Sequence, residues 1–388
     1  MPSRRSSPAP GLEDWTKPVK PSVTLPYMVD DCRIVQDPLG VVLIIGAWNY
    51  PFQLVLVGLV GAIAAGNAVV LKPSEVSPHS AQAMADAVAK YLDPQAVRVV
   101  NGAVEETTLL LEQRFDHILY TGSSHVGKII MGAAAKHLTP VTLELGGKSP
   151  CIVDGNSDLD VVGRRVAWGR FVNAGQTCIA PDYVLALPGV EDKLVASIRK
   201  ALREFYGEDP QKSPHYGRIV NKAHFNRLCK IITGNVVGGK TDEADLYIEP
   251  TILKGCTGES PAMRDEIFGP ILPIVNVGSI DEAIAFINGR EKPLALYVFS
   301  RDAAKCQKVA DLTSSGGFIA NDTLMHAAGA WQALKNARVA DRLGRGRVLT
   351  CWHPSAVPLP PARAARAEPA VRRRGLLGHG RVPRQAHL

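Results

Sequence analysis

Residues 41–75 read VVLIIGAWNYPFQLVLVGLVGAIAAGNAVVLKPSE, and this stretch decides the fold class. The apolar, β-branched run at 41–46 predicts a buried strand, and the proline at position 51 favours a helix over 52–65. A second buried strand is predicted at 68–71. A membrane-spanning helix is less favoured, because residues 48–51 divide the apolar run into halves too short to cross a bilayer.

The same alternation of strand and helix patterns continues along the chain. Further elements are predicted as helices at 78–92, 104–112 and 124–137 and as strands at 97–100, 117–120 and 141–145. Five short apolar strands that alternate with helices predict an α/β fold with a parallel, doubly wound, Rossmann-like sheet. Such sheets bind ligands beyond the carboxyl ends of their strands. Asn49, Lys72, Gly122 and Glu144 all fall at or just after these ends.

A second α/β unit is predicted after residue 144. It begins with a helix at 159–171, a strand at 183–187 and a helix at 190–205, and the alternation resumes at 271–277, 280–287, 294–299 and 318–320. Residues 1–22 are polar and contain proline, so we expect disorder there, followed by an edge strand or ribbon at 23–35.

The composition of the chain describes a soluble globular protein with an unusual end. The 388 residues are 46% hydrophobic and 21% charged. Residues 327–388 hold 12 Lys and Arg against 2 acidic residues, so most of the formal charge of +7 lies in this segment and the first 326 residues sum to −3. The main body therefore has no basic bias toward nucleic acid, and the basic tail at 327–388 is expected to be disordered.

The seven cysteines follow no metal-binding or disulfide spacing. They are expected to be reduced thiols, which favours a cytoplasmic location, and no secretory leader is expected at the start of the chain. No zinc motif is present in the sequence, so no metal site is predicted.

Two residues stand out as candidates for covalent chemistry. Cys178 lies among small residues in NAGQTCIA, which leaves room for a substrate beside the sulfur. Glu144 ends an apolar strand and precedes two glycines, a position suited to a base that activates water. The alternatives are a buried, inert cysteine and a carboxylate that caps a helix or forms a salt bridge.

Four segments carry a resemblance to a known family. GAWNYPF, VTLELGGKSP, FVNAGQTC and EIFGPILP occur in this order and resemble the signature segments of the aldehyde dehydrogenase superfamily. The spelling HLTPVTLELGGK with AGQTCIAPDYVL is most similar to the class 3 branch, dimeric enzymes that act on fatty and aromatic aldehydes. The resemblance implies an NAD(P)-binding domain at 23–143, a catalytic domain at 144–326, and a role in aldehyde and lipid metabolism.

The resemblance also implies a catalytic set. Cys178 would be the nucleophile that forms a thiohemiacetal and then a thioester, and Glu144 would activate the water that hydrolyses the thioester. Asn49, with the backbone N–H of Cys178, would stabilise the oxyanion; alternatively it is a turn asparagine before Tyr50 and the following proline. Tyr50 and Trp168 would line an apolar substrate tunnel, or they are core aromatics.

The cofactor implied is NAD or NADP. Lys72 and Glu75 match positions that approach the adenine ribose, and Glu266 and Phe268 match positions at the nicotinamide ribose. Gly122, Ser123 and Gly127 match a strand-to-helix turn that suits a pyrophosphate through free backbone N–H groups. The alternative for Lys72 and Glu75 is a solvated turn with a helix cap, and for Glu266 it is an ordinary surface glutamate before a strand. For Gly122, Ser123 and Gly127 it is a generic strand-to-helix turn.

Both ends of the chain depart from the family pattern. The resemblance predicts a helical segment before residue 23, and we expect that segment to be absent. It also predicts a Phe-Gly-Gly segment after Asn321 and Asp322, and residues 327–388 do not match it. The prediction is therefore an aldehyde dehydrogenase that forms homodimers, takes small-molecule aldehydes, and has no nucleic-acid partner or visible membrane anchor. The alternative is a catalytically impaired variant of the same family that still binds cofactor.

Overall fold

The N-terminal part of the described chain is more ordered than its composition indicates. The computed structural model describes residues 12–325 and 348–352, all within one compact unit, Met1–Pro354. Leu12–Thr16 form helix α1, which corrects the expectation of disorder over 1–22 for these residues. The ribbon expected at 23–35 is reduced to one antiparallel bridge between Val19 and Ile34, with a short 3-10 turn at Leu25–Tyr27.

The first sheet is the predicted parallel one. Its strands are β1 Val41–Ile45, β2 Ala68–Lys72, β3 Val97–Val99, β4 His117–Thr121 and β5 Val141–Glu144, in the order β3-β2-β1-β4-β5. Every adjacent pair is parallel. The helices that connect the strands are α2 Pro51–Ala64, α3 Pro78–Tyr91, α4 Val104–Glu112 and α5 Ser124–Ala135.

Alternate residues of β1 pack on opposite faces of this sheet, as a doubly wound fold requires. Ile44 lies in a cluster with Leu59 of α2 and Met84 of α3. Leu43 lies in the other cluster, with Ile130 of α5. The strand order reverses between β1 and β4, so the crevice beyond their carboxyl ends is the expected place for a ligand.

The second sheet is larger and holds the main hydrophobic core. Its members are β6 Pro150–Val153, β7 Tyr183–Ala186, β8 Asn235–Val237, β11 Thr251–Cys256, β12 Ile271–Asn276, β13 Ala295–Phe299, β14 Gly317–Ala320 and β15 Val348–Trp352. Strands β9 Thr241–Asp242 and β10 Tyr247–Ile248 form a separate antiparallel hairpin. The order is β15-β14-β13-β6-β7-β12-β11-β8, and only the pairing of β8 with β11 is antiparallel. The helices of this part are α6 Leu159–Phe171, α7 Glu191–Tyr206, α8 Lys222–Cys229, α9 Ile280–Asn288 and α10 Ala303–Leu312.

The division between the sheets lies close to the predicted domain boundary. Glu144 is the last residue of the first sheet, and the second sheet begins at Pro150. A boundary between 143 and 144 would therefore cut β5 one residue before its end. The connecting segment carries Gly146, Gly147 and Lys148.

The basic tail contains one described element. β15 pairs in parallel with β14, with Gly317 opposite Val348, which corrects the expectation of disorder for these five residues. Its sequence, VLTCW, is the part of the tail richest in β-branched and apolar residues, and β14 would otherwise be an unpaired edge. The remainder of 326–388 lies outside the described residues.

Candidate active site

The loop that carries Cys178 has an unusual backbone. After α6 ends, Asn173 and Ala174 both adopt left-handed conformations, with φ of 53° and 51°. Gly175 follows with φ of 74°, and a Cβ there would lie 2.2 Å from the carbonyl oxygen of Gly269. The residues before Cys178 therefore turn sharply and lie directly against the segment that contains Glu266 and Phe268.

The turn after β1 is hydrogen-bonded to this loop. The Asn49 side-chain amide donates to the Gln176 carbonyl at 3.0 Å, although the two residues are 127 positions apart. Asn173 donates back to the Asn49 carbonyl at 3.1 Å, and the Tyr50 hydroxyl lies 2.7 Å from Thr177 Oγ1. Asn49 and Tyr50 are thus brought beside the loop of Cys178.

The Cys178 thiol is half-buried and neutral at ordinary pH. Burial, with smaller contributions from the negative charges of Glu266 and Glu144, raises its pKa to about 11. The backbone N–H groups of Cys178 and Ile179 act in the opposite direction by hydrogen bonding to the sulfur. The charges of Glu144 and Glu266 act on the Cys178 sulfur, which indicates that the three side chains belong to one site.

Glu144 ends β5 opposite Thr121, and its carbonyl accepts the Gly122 N–H at 3.1 Å. Its side chain is open to solvent, yet partial burial raises the pKa of its carboxyl. A carboxyl with a raised pKa and access to water is suited to general-base chemistry.

Glu266 lies over the two glycines that follow Glu144. A Cβ on Gly146 would be 2.4 Å from Glu266 Oε1, and the Gly147 N–H bonds to the carboxylate. Burial, followed by the charge of Asp182, raises the pKa of Glu266 to about 8. The absence of a side chain at Gly146 therefore leaves room for the close approach of this carboxylate.

Phe268 lies in an aromatic cluster that the sequence did not reveal. It has a strained φ of 49°, and its ring contacts Trp48 edge-on with centroids 5.3 Å apart. The ring of His224 also lies beside Trp48, with the two ring centroids 5.5 Å apart. The sequence could have identified Trp48 as a site residue because it immediately precedes Asn49. Nothing in the sequence marked His224, which lies in α8.

The nucleotide side of the crevice contains the remaining predicted residues. Buried Lys72 forms an ion pair with exposed Glu75, Nζ to Oε2 2.7 Å. Burial tends to raise the pKa of Glu75, but the hydrogen bond and charge of Lys72 outweigh it and hold the pKa below its ordinary value. The pair lies at the carboxyl end of β2.

Ser123 caps α5 by accepting the Val126 N–H, and Gly122 joins β4 to that cap. A Cβ on Gly122 would lie 2.2 Å from the Tyr120 hydroxyl oxygen, and one on Gly127 would lie 3.1 Å from Leu145. Contrary to the prediction, the N–H groups of Gly122 and Gly127 are not free but donate to the carbonyls of Glu144 and Ser123. The amides suited to a phosphate are those of the first turn of α5, because first-turn amides have no helical carbonyl to bind. With Lys72 and Glu75 at the carboxyl end of β2, two strands from β4 in the same sheet, the residues present fit a dinucleotide in this crevice.

Trp168 lies in the helix that precedes the loop of Cys178. It is half-buried in α6, and its carbonyl accepts the Val172 N–H. Its role in a substrate tunnel stays a prediction.

Over residues 12–325 and 348–352 there is no cluster of His, Cys, Asp and Glu arranged to hold a metal ion. Within the same ranges, no helix combines the length and apolar character needed to cross a membrane; the apolar run at 41–66 is divided between β1 and α2.

Comparison with known proteins gives a consistent result. The model of the "Aldehyde dehydrogenase family" matches residues 15–336. The chain is 56% identical to "Aldehyde dehydrogenase, dimeric NADP-preferring" of Mus musculus, over 81% of this chain and 70% of that protein. It is also 56% identical to "Aldehyde dehydrogenase family 3 member A2" of Pongo abelii, over 81% of this chain and 65% of that protein.

Solved structures agree. The substrate-bound AldH of Staphylococcus aureus superimposes with a TM-score of 0.80 at 48% identity, over 82% of this chain and 70% of that one. An aldehyde dehydrogenase of Mycobacterium tuberculosis complexed with NAD+ gives 0.68 at 30% identity, over 74% of this chain and 62% of that one. By its motifs, its fold and these similarities, the chain belongs to the aldehyde dehydrogenase family.

Proposed function

We propose that this protein oxidises an aldehyde to a carboxylic acid, with NAD or NADP as the electron acceptor and a thioester on Cys178 as the intermediate. The observation that carries the proposal is the hydrogen bond from Asn49 to the loop of Cys178. This bond joins the Asn49 amide to the loop of the thiol, and the charges of Glu144 and Glu266 act on the same thiol, which supports a single site.

The first step is addition of the Cys178 sulfur to the aldehyde carbonyl. Because the pKa of the thiol is about 11, its proton must leave as the carbon–sulfur bond forms. Glu144 and Glu266 are the carboxylates whose charges act on this sulfur, and either could accept the proton. The former carbonyl oxygen receives hydrogen bonds from the Asn49 amide and the Cys178 N–H, which stabilise the tetrahedral thiohemiacetal.

When bound, the nicotinamide would supply the hydride acceptor, and the thiohemiacetal would lose a hydride and a proton to become a thioester. Glu144 then takes a proton from water, the hydroxide oxygen bonds to the acyl carbon, and the Cys178 sulfur leaves. The carboxylic acid is released and the thiol is regenerated. The raised pKa of Glu144 and its exposure to solvent support this role.

The dinucleotide would be held at both of its ends. Lys72 and Glu75 would bond to the adenine ribose, and the turn of Gly122, Ser123 and Gly127 would bind the pyrophosphate. Glu266 would bond to the nicotinamide ribose, with Phe268 packed beside it. The mouse relative is named as NADP-preferring and the mycobacterial structure contains NAD+, so both cofactors are proposed.

The substrate is proposed to be an apolar aldehyde, fatty or aromatic, in contact with Tyr50 and Trp168, which would give the protein a role in aldehyde and lipid metabolism. A homodimer is proposed because the mouse relative is named as dimeric. A cytoplasmic location is proposed from the unpaired cysteines: the six within residues 12–325 are all free.

The test is turnover of a medium-chain aldehyde by the full chain, followed by the absorbance of reduced cofactor. Cys178→Ser is expected to abolish turnover, and Cys256→Ser, a half-buried thiol elsewhere in the second sheet, is expected to retain it. Full activity in the Cys178 variant would refute the mechanism. If wild type is inactive, a rise in its melting temperature with NADP would identify a cofactor-binding but impaired protein.

A further inference from the structure

One buried carboxylate joins the three segments that supply the active site. Asp182 is 2% exposed, and its Oδ2 accepts a hydrogen bond from Lys148 Nζ at 2.6 Å. Its Oδ1 lies 3.2 Å from a terminal nitrogen of Arg170, which is itself buried. Lys148 comes from the segment after Glu144, whereas Arg170 and Asp182 flank the loop of Cys178.

Asp182, Lys148 and Arg170, together with Arg227, also bind the third segment, residues 262–269, which carries Glu266 and Phe268. Asp182 Oδ1 accepts the Ile267 N–H at 3.1 Å. Lys148 Nζ donates to two carbonyls at 2.8 and 3.0 Å, and Arg170 and Arg227 donate to others. The carbonyls bound in this way are those of Ala262, Asp265, Ile267 and Gly269.

These contacts fix geometry more than they add stability. The cost of removing paired charges from water largely offsets their attraction, so a buried ion pair is weak evidence of a stabilising role. What the arrangement does supply is a rigid backbone on both sides of Glu266. The charge of Asp182 also acts on the Glu266 carboxyl directly, opposed by Arg170 and Lys148.

We propose that Asp182 is a positioning residue for cofactor binding: through Lys148, Arg170 and the Ile267 amide it fixes the segment that places Glu266 against the nicotinamide ribose. This inference rests on the proposed function, since it takes Glu266 as a cofactor contact. Asp182 itself touches no reactant in this assignment.

The experiment compares Asp182→Asn with Asp154→Asn. Asp154 is also buried in the second α/β part and also ion-paired, to Lys305 at 2.8 Å, but its side-chain hydrogen bonds go to Ser300 and Lys305 rather than to 262–269. Both variants lose one buried charge. Only Asp182→Asn is expected to raise KM for NADP, by about tenfold or more because small displacements of a binding group are costly, with a smaller change in kcat.

A second readout does not require turnover. Amide hydrogen exchange in the peptide covering 262–269 is expected to be faster in Asp182→Asn than in wild type, and unchanged in Asp154→Asn. If Asp182→Asn does not fold, Lys148→Gln, which leaves the Arg170 pair intact, is expected to give the same changes in KM and exchange.

The proposal is overturned if the folded variants match Asp154→Asn in both KM for NADP and exchange. If wild type neither binds NADP nor turns over aldehyde, the proposed function fails, and faster exchange at 262–269 would still show that Asp182 holds the segment. Unchanged exchange would then refute the positioning role independently.

Discussion

Replacement of Asn49 by alanine tests the assignment of the oxyanion site directly. In the free protein the Asn49 amide donates one hydrogen bond, to the Gln176 carbonyl, and an amide nitrogen carries two N–H groups. The second N–H is the one assigned to the oxyanion. Alanine removes both while leaving the Asn49 backbone carbonyl, which accepts from Asn173, in place.

The two losses differ in size. Loss of the bond to Gln176 should lower the free energy of unfolding by about 0.5–1.5 kcal/mol. Loss of an oxyanion donor should raise the activation free energy by about 2.7–4 kcal/mol, or about 100- to 1,000-fold in kcat. The kinetic effect should therefore exceed the stability effect by a wide margin.

The assay is steady-state reduction of NADP with a medium-chain aldehyde, together with urea unfolding of each protein. Asn288→Ala is the matched control, because it removes an amide that donates to a backbone carbonyl, Leu312 at 2.8 Å, away from the site. We expect a similar small loss of stability in both variants and a large loss of kcat only in Asn49→Ala. A kcat within about threefold of wild type would refute the oxyanion role, since a single donor is worth far more than that.

Three further predictions concern the same site. Glu144→Gln should lower steady-state turnover by about 100- to 10,000-fold, as loss of a general base does, while rapid mixing still shows one equivalent of reduced cofactor per site; absence of that burst would place Glu144 in an earlier step. Alkylation of Cys178 by iodoacetamide, followed by mass spectrometry, should accelerate with pH until about pH 11, because burial raises the pKa of the thiol; a plateau at the ordinary value of about 8.5 would contradict this. Gly146→Ala should weaken NADP binding measured by fluorescence titration, because the new methyl group would lie 2.4 Å from Glu266 Oε1, and unchanged affinity would show that this carboxylate can move without cost.

The first sheet was predictable because each of its strands is a local apolar run bounded by a turn. Helix α4 was predicted with its observed bounds, Val104–Glu112, and the strand ends at Lys72 and Glu144 were predicted to within one residue. The sequence also identified Asn49 and Cys178 as candidates. The hydrogen bond that joins Asn49 to the loop of Cys178 is a property of the fold, which no local pattern contains.

The second α/β part was harder to predict from the sequence, for physical reasons. Strand β6 begins at a proline and follows two glycines, so it resembled a loop, although it lies at the centre of its sheet. The short strands between Asn235 and Ile248 carry polar residues and gave no period-two signal. Asp182 was not recognised because its partners lie on three separate segments, and charge pairing across a fold leaves no trace in spacing.

The bond between Asn49 and Gln176 also has a consequence for how the chain acquires its activity. All strands of the first sheet lie within 41–144, so that sheet can form early during synthesis, from contacts between neighbouring units. The Asn49 donor reaches the loop of Cys178 only after residues 127 positions apart have come together, and long-range contacts of this kind form slowly. We expect cofactor-binding structure to appear first in refolding and dehydrogenase competence to appear last.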